Sequence, residues 1–262
     1  MYIPSFRTKA NGVPVLSKTE LNAMGEKFVR DFQPEVLRNP APVDVDGFVE
    51  YYLGMTPDFQ FLSHNGIYLG MTVFNDTDRV TIYDPTTNTA EYISAAARTV
   101  IIDSRLLEED QKHRYRFTMG HEASHDILHS AFFSYDPEQF TMFDSSYEPM
   151  IQCRIENVNA PKTDPRYWSD KERMEWQANY LSSCILMPES AVRMVAGGFK
   201  QGTGMQATLV RSQMVAKVSS TFDVSISAAT IRLKELGYIP KDEEISTSYV
   251  GAILDFADLV EV

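Results

Sequence analysis

Cysteine is nearly absent. Cys153 and Cys184 are the only two in 262 residues, which excludes a disulfide framework, and their spacing is not that of a metal-binding or redox pair. Both thiols are expected to be reduced. Positive charge is also scarce: 24 Lys and Arg against 36 Asp and Glu give a formal net charge of −12. That balance opposes the broad attraction to phosphate that supplies most non-specific nucleic-acid affinity. No apolar run approaches membrane-spanning length, and the first residues, MYIPSFRTKANGVPV, lack the basic and then apolar regions of a secretory signal. A cytoplasmic protein with no membrane association is expected.

What the chain does have is 44% hydrophobic residues, enough for a packed core in one large domain or two small ones. Leu21, Met24, Phe28 and Phe32 fall at helical spacing behind Ser17 or Thr19 as a cap, so a short amphipathic helix is expected over 17–32. Pro34, Pro40 and Pro42 make a stiff connector, followed by a short helix from about Val45 to Leu53. The pattern then turns β-rich: FQFLS, IYLGMTVF after the Asn65-Gly66 turn signal, RVTIYD and TVIID. A small, largely antiparallel sheet is the simplest arrangement of these runs.

Helical periodicity returns from about His113 to Phe133. Residues 134–168 are aromatic-rich and Pro-interrupted, with one short strand candidate at MIQCRI; a segment of that length is more often functional than a plain connection. Ser169-Asp170-Lys171-Glu172 is a capping box that should open a helix running to about Leu186. Pro188 opens another, ended by Gly197-Gly198, and two more follow over about 206–221 and 227–236.

The chemistry concentrates in GHEASHDILH, residues 120–129. Residues four apart on an α-helix point about 40° from each other and lie about 6 Å apart along the axis, so His121 and His125 can reach one ion. Imidazole nitrogen is a good zinc ligand, and Glu122 projects beside the remaining open position, where a carboxylate can act as general base. The plain alternative, two exposed helix histidines and a salt-bridging glutamate, predicts that these side chains face solvent. A catalytic zinc needs a third protein ligand. His129 lies about 12 Å from His121 along a straight helix, and no Gly follows His125 to turn the chain back, so His129 is expected to support the ligands from behind or to pack. The better candidates are Glu172 and Glu175 on the capped helix, with Asn179 placed to hydrogen-bond a ligand. Composition does not choose between the two glutamates.

RFTMGHEASHDILH and the later EWQANYLSSCILMP resemble the ImmA/IrrE family of zinc metallopeptidases, whose second motif is Glu-x-x-Ala-Asn followed by an apolar helix and Leu-Met-Pro. The resemblance extends to the preceding sheet region and to VSISAATIRLKELGYI, about residues 43 to 240 in all. It implies an α+β, zincin-like fold with an active-site helix and a C-terminal helix-turn-helix-like region. It also implies one Zn2+ per chain held by His121, His125 and Glu175, with Glu122 as the catalytic base and Asn179 behind the ligands. Two departures stand out. The motif interior is Ala-Ser where the family usually carries Leu-Gly or a similar pair, and the His125-to-Glu175 separation is long, which makes 134–168 an insertion.

The expected organisation is an N-terminal helix and connector (1–42), a metallopeptidase domain (43–197), a helix-turn-helix-like subdomain (198–240) and a tail (241–262) in which GAILDFADLVEV forms a docking helix. From Ser190 to Lys241 there are seven Lys or Arg against two Asp or Glu. Set against an acidic whole, that excess fits a helical pair that braces the enzyme or docks a protein better than one that reads DNA, and direct DNA binding is not expected. The resemblance implies an endopeptidase whose substrate is a cytoplasmic regulatory protein such as a helix-turn-helix transcriptional repressor; the competing function is a zinc-containing regulator or binding module with no proteolytic activity. Cys153 is expected to be half-buried on a strand and Cys184 to lie in the core.

Overall fold

The computed structural model describes residues 1–133, 150–154, 164–199 and 204–260. Most of the 134–168 insertion expected from the sequence lies outside them. The described residues group into two compact units, one of 1–21 with 44–182 and the other of 22–43 with 183–262.

The first unit is built on strands. Thr56–Gln60 (β1), Tyr68–Val73 (β2), Thr99–Asp103 (β5) and Met150–Arg154 (β6) form one sheet in the order β1-β5-β2-β6, and Thr77–Asp84 (β3) and Thr89–Ala95 (β4) form a separate antiparallel hairpin. Among the described strands only β1 and β5 run parallel. The fold is α+β as expected, but the hairpin's second strand was not expected. TAEYISA lacks apolar alternation because most of its side chains face solvent, Tyr92 at 72% exposure among them. The hairpin's tight turn places Asn88 in the left-handed region, at φ 58°.

Strand β2 has two faces, as pleating requires. Met71 and Val73 pack with Leu62, Val80 and Ile101 into an apolar cluster against the hairpin. Gly70 and Thr72 face the other way, onto the helix Lys112–Phe133 (α3). This helix lies against β2, β5 and β6, and from Thr118 to Asp126 every residue is buried. An apolar stripe therefore understates it: α3 is the centre of the unit.

The helix Lys18–Phe32 (α1) begins with a capping box, the Ser17 amide donating to Glu20 at 2.8 Å and Glu20 N donating to Ser17 Oγ at 3.3 Å. Ser169 and Glu172 repeat the device at 2.8 and 3.2 Å and start Asp170–Leu186 (α4) where the sequence places it. The expected helix at 45–53 is instead one α-helical turn, Val45–Gly47 (α2), capped by Asp44, and then a wider turn over Phe48–Tyr52.

The second unit is helical and apolar. Glu189–Gly197 (α5), Met205–Phe222 (α6), Ile226–Glu235 (α7) and Thr247–Val260 (α8) follow the end of α4. Asp223, at φ 52°, turns the chain between α6 and α7, and Ser225 caps α7 through the Ala228 amide at 3.1 Å. Cys184 is fully buried there; Cys153 lies on β6, opposite Gly70, with its side chain outside the described residues. Among the described residues no helix is long and apolar enough to cross a membrane.

Candidate metal centre

Helix α3 brings four titratable side chains inside the unit. His121, Glu122, His125 and His129 are all fully buried, which removes the alternative of two exposed helix histidines. Two further elements meet them, α4 with Glu175, Gln177 and Asn179 and β2 with Gly70 and Thr72, and the N-terminal segment joins through Pro14, which accepts from Gln177.

The His121 and His125 Nε2 atoms are 3.0 Å apart. Glu175 joins them, with Oε2 3.5 Å from His121 Nε2 and Oε1 3.7 Å from His125 Nε2. One ligand atom from each of the three residues lies within 4.8 Å of the others. Both Glu175 oxygens are buried without a hydrogen-bond partner among the described residues. Isolated buried carboxylates are costly, and two imidazole nitrogens facing each other with a carboxylate alongside invite a positive centre. Two His nitrogens and one carboxylate form a set that fits a metal ion and leaves one position for another ligand. Glu172, the other candidate, is held in its capping box with Ser169 and takes no part.

The rear of each imidazole is also held. Asn179 Oδ1 lies 2.9 Å from His121 Nδ1, and His129 Nδ1 lies 2.9 Å from His125 Nδ1. His129 is thus behind His125 and outside the cluster. Burial pushes its imidazole down to about 3, and burial, with help from His121 and His129, takes His125 well below the ordinary range. Both rings are neutral near neutral pH, as metal ligation requires of His125.

Glu122 stands beside the cluster. Thr72 Oγ1 lies 2.6 Å from its Oε2 and 2.9 Å from its backbone oxygen, while Oε1 has no hydrogen-bond partner among the described residues. Burial pushes its carboxyl up to about 7, with His121 and the Thr72 hydrogen bond opposing. A carboxyl that exchanges its proton near neutral pH is suited to general acid–base work. A side chain at position 70 would fill this space: a Cβ there would sit 2.7 Å from Glu122 Oε1.

Four contributors escape the sequence. Thr72 and Gly70 carry no motif, being about 50 residues upstream on a strand. Gln177 is an ordinary helix residue until its partners are known. Arg98, at φ 63°, grips Asp126 with two nitrogens at 2.7 and 3.2 Å and fixes the motif helix to the turn before β5. No periodicity marks any of them.

A search of curated proteins finds no match. Residues 75–234, more than half of the chain and both motif helices, match the Peptidase_M78 family model, described as the IrrE N-terminal-like domain. With His121, His125 and Glu175 already drawn into one buried cluster, this match settles the lineage: the chain belongs to the Peptidase_M78 family.

Proposed function

We propose that this protein is a zinc metallo-endopeptidase, with one zinc ion per chain held by His121, His125 and Glu175 and with Glu122 as general base. The observation that carries it is the buried, partnerless Glu175 carboxylate facing two imidazole nitrogens, with the partnerless Glu122 Oε1 close by. When bound, zinc would supply Lewis-acid polarisation of the scissile carbonyl and acidification of the attacking water. Glu122 Oε1 takes the proton from that water and gives it to the nitrogen of the departing amine, so that the peptide bond breaks and the carboxyl regains its starting state. Thr72 holds Oε2 and so aims Oε1, and Gly70 leaves it room. Asn179 and His129 hold the ligand rings from behind.

The substrate we propose is a cytoplasmic regulatory protein, such as a helix-turn-helix transcriptional repressor, following the family resemblance. The α6–α7 pair is proposed to brace the enzyme or dock that protein in preference to DNA. In support, three of the seven basic residues counted over 190–241 are committed elsewhere: Arg193 pairs with Glu189, Arg211 with Glu243, and Arg232 is buried.

The test is Glu122→Gln, with wild type beside it, incubated with helix-turn-helix repressor proteins of the proposed substrate class. The variant is expected to retain one zinc per chain and to lose at least about 10²-fold in cleavage rate. Cleavage at the wild-type rate would sink the role of Glu122. A wild type that binds zinc and cuts nothing would favour a non-proteolytic regulator.

A further inference from the structure

Behind His125 a chain of hydrogen bonds runs away from the candidate metal centre and ends on a backbone carbonyl. His125 Nδ1 lies 2.9 Å from His129 Nδ1, His129 Nε2 lies 3.1 Å from Gln177 Oε1, and Gln177 Nε2 donates to the Pro14 carbonyl at 2.9 Å. His125, His129 and Gln177 are all fully buried, so water does not compete for these bonds. Pro14 lies outside the residues that match the family model.

The direction of this chain is dictated from its far end. A carbonyl oxygen only accepts, so the Gln177 amide nitrogen must face Pro14 and Oε1 must face His129. Oε1 also only accepts, which places the His129 proton on Nε2. A neutral imidazole then has a bare Nδ1, and it can only accept from His125 Nδ1–H. His125 Nε2 is left as a lone pair, on the side of His121 and Glu175.

The opposite arrangement would close the site. With the His129 proton on Nδ1, His125 Nδ1 must accept and its Nε2 must carry the proton. That proton would point at His121 Nε2, 3.0 Å away, and the two ligands would satisfy each other without a metal.

We propose that Gln177, oriented by the Pro14 carbonyl, is a positioning residue that sets the tautomer of His129 and through it keeps His125 Nε2 unprotonated for the metal. The proposal rests on the metal-centre assignment above and extends it to the N-terminal segment. That segment is fastened independently of the relay. Val13 is buried with Phe133, Ile151 and Met174, Lys9 and Asn11 both bond Asp170 on α4, and Thr8 bridges to Pro14.

Two measurements test it. Ring-nitrogen NMR of the metal-free wild type reads the tautomers directly and should show His129 as Nε2–H and His125 as Nδ1–H. Gln177→Met keeps the side chain's shape and removes both hydrogen bonds. It should mix the His129 tautomers and weaken zinc binding, in competition with a chromophoric chelator, by about 10- to 100-fold. A wild-type His129 carrying its proton on Nδ1, or a Gln177→Met variant with unchanged tautomers and affinity, would overturn the relay. Expected tautomers in a wild type that binds no zinc would instead sink the metal assignment and leave the relay standing.

Discussion

Two of the buried regions with polar atoms that find no hydrogen-bond partner among the described residues differ in kind. At the candidate metal centre in the strand-based unit they are Glu175 Oε1 and Oε2 and Glu122 Oε1, all acceptors. They gather around two imidazole nitrogens 3.0 Å apart. At Arg232 in the helical unit, a residue only 1% exposed, they are donors, Nη1 and Nη2. Its Nε donates to the Met187 carbonyl at 3.0 Å. Its guanidinium also counters part of the burial that pushes the Cys184 thiol up to about 11. Burial costs both regions free energy. What separates them is convergence: several side chains supply the first cluster and aim at one point, whereas one side chain supplies the second. An unpartnered atom marks a strained place, and a ligand site requires several of them sharing a vacant focus.

The largest expected effect tests that distinction at Glu175. If the acceptors await a cation, Glu175→Gln should be harmful only when the metal is offered. Zinc at about 100 times its Kd should stabilise wild type by about 2.7 kcal/mol in urea unfolding, and the variant should lose most of that increment. With a chelator present the variant should be as stable as wild type or more so, because an amide replaces a buried unpaired carboxylate. A metal-free variant clearly weaker than wild type would mean that Glu175 has its own partners, and the contrast with Arg232 would dissolve.

Gly70→Ala separates the proposed base from the proposed ligands within the first cluster. The added methyl would meet Glu122 Oε1 at 2.7 Å and Thr118 Cγ2 at 2.8 Å, so Glu122 must move. Misplacing a reacting group by about 1 Å costs on the order of 10²-fold. Cleavage should fall by that order with zinc content unchanged, since the three proposed ligands come from α3 and α4. Loss of zinc as well would show that the methyl displaces the whole of α3.

The same contrast explains what the sequence made legible. Features set by local chemistry were visible: the Ser169–Glu172 capping box, a cap at Ser17 or Thr19 that the structure resolves as Ser17, the helix carrying His121, Glu122 and His125, and the break between α6 and α7. The choice of Glu175 over Glu172 came from the family resemblance alone, and the geometry separates them because Glu172 is engaged by Ser169 while Glu175 is buried. What stayed hidden depends on packing between distant segments. Thr72 reaches Glu122 across 50 residues and Gln177 reaches Pro14 across 163, and no spacing rule links a strand or a tail to a helix. Strand β4 was missed for the opposite reason, since an exposed strand carries little apolar pattern.

The smallest expected effect falls on the donor side. Arg232→Met removes two partnerless nitrogens and a buried cation, which favours folding, and strands the Met187 carbonyl, which opposes it by about 1–3 kcal/mol. The two terms oppose each other, so urea unfolding should shift by less than about 2 kcal/mol, with zinc affinity unaltered. Removing one member of a true buried ion pair costs more, about 3–5 kcal/mol. A loss of that size would identify a charge partner for Arg232 and make this region a closed network. A small shift, beside a Glu175→Gln variant that loses its zinc-dependent stability, would leave convergence on one point as the property that distinguishes the candidate metal centre from a buried charge tolerated by its helices.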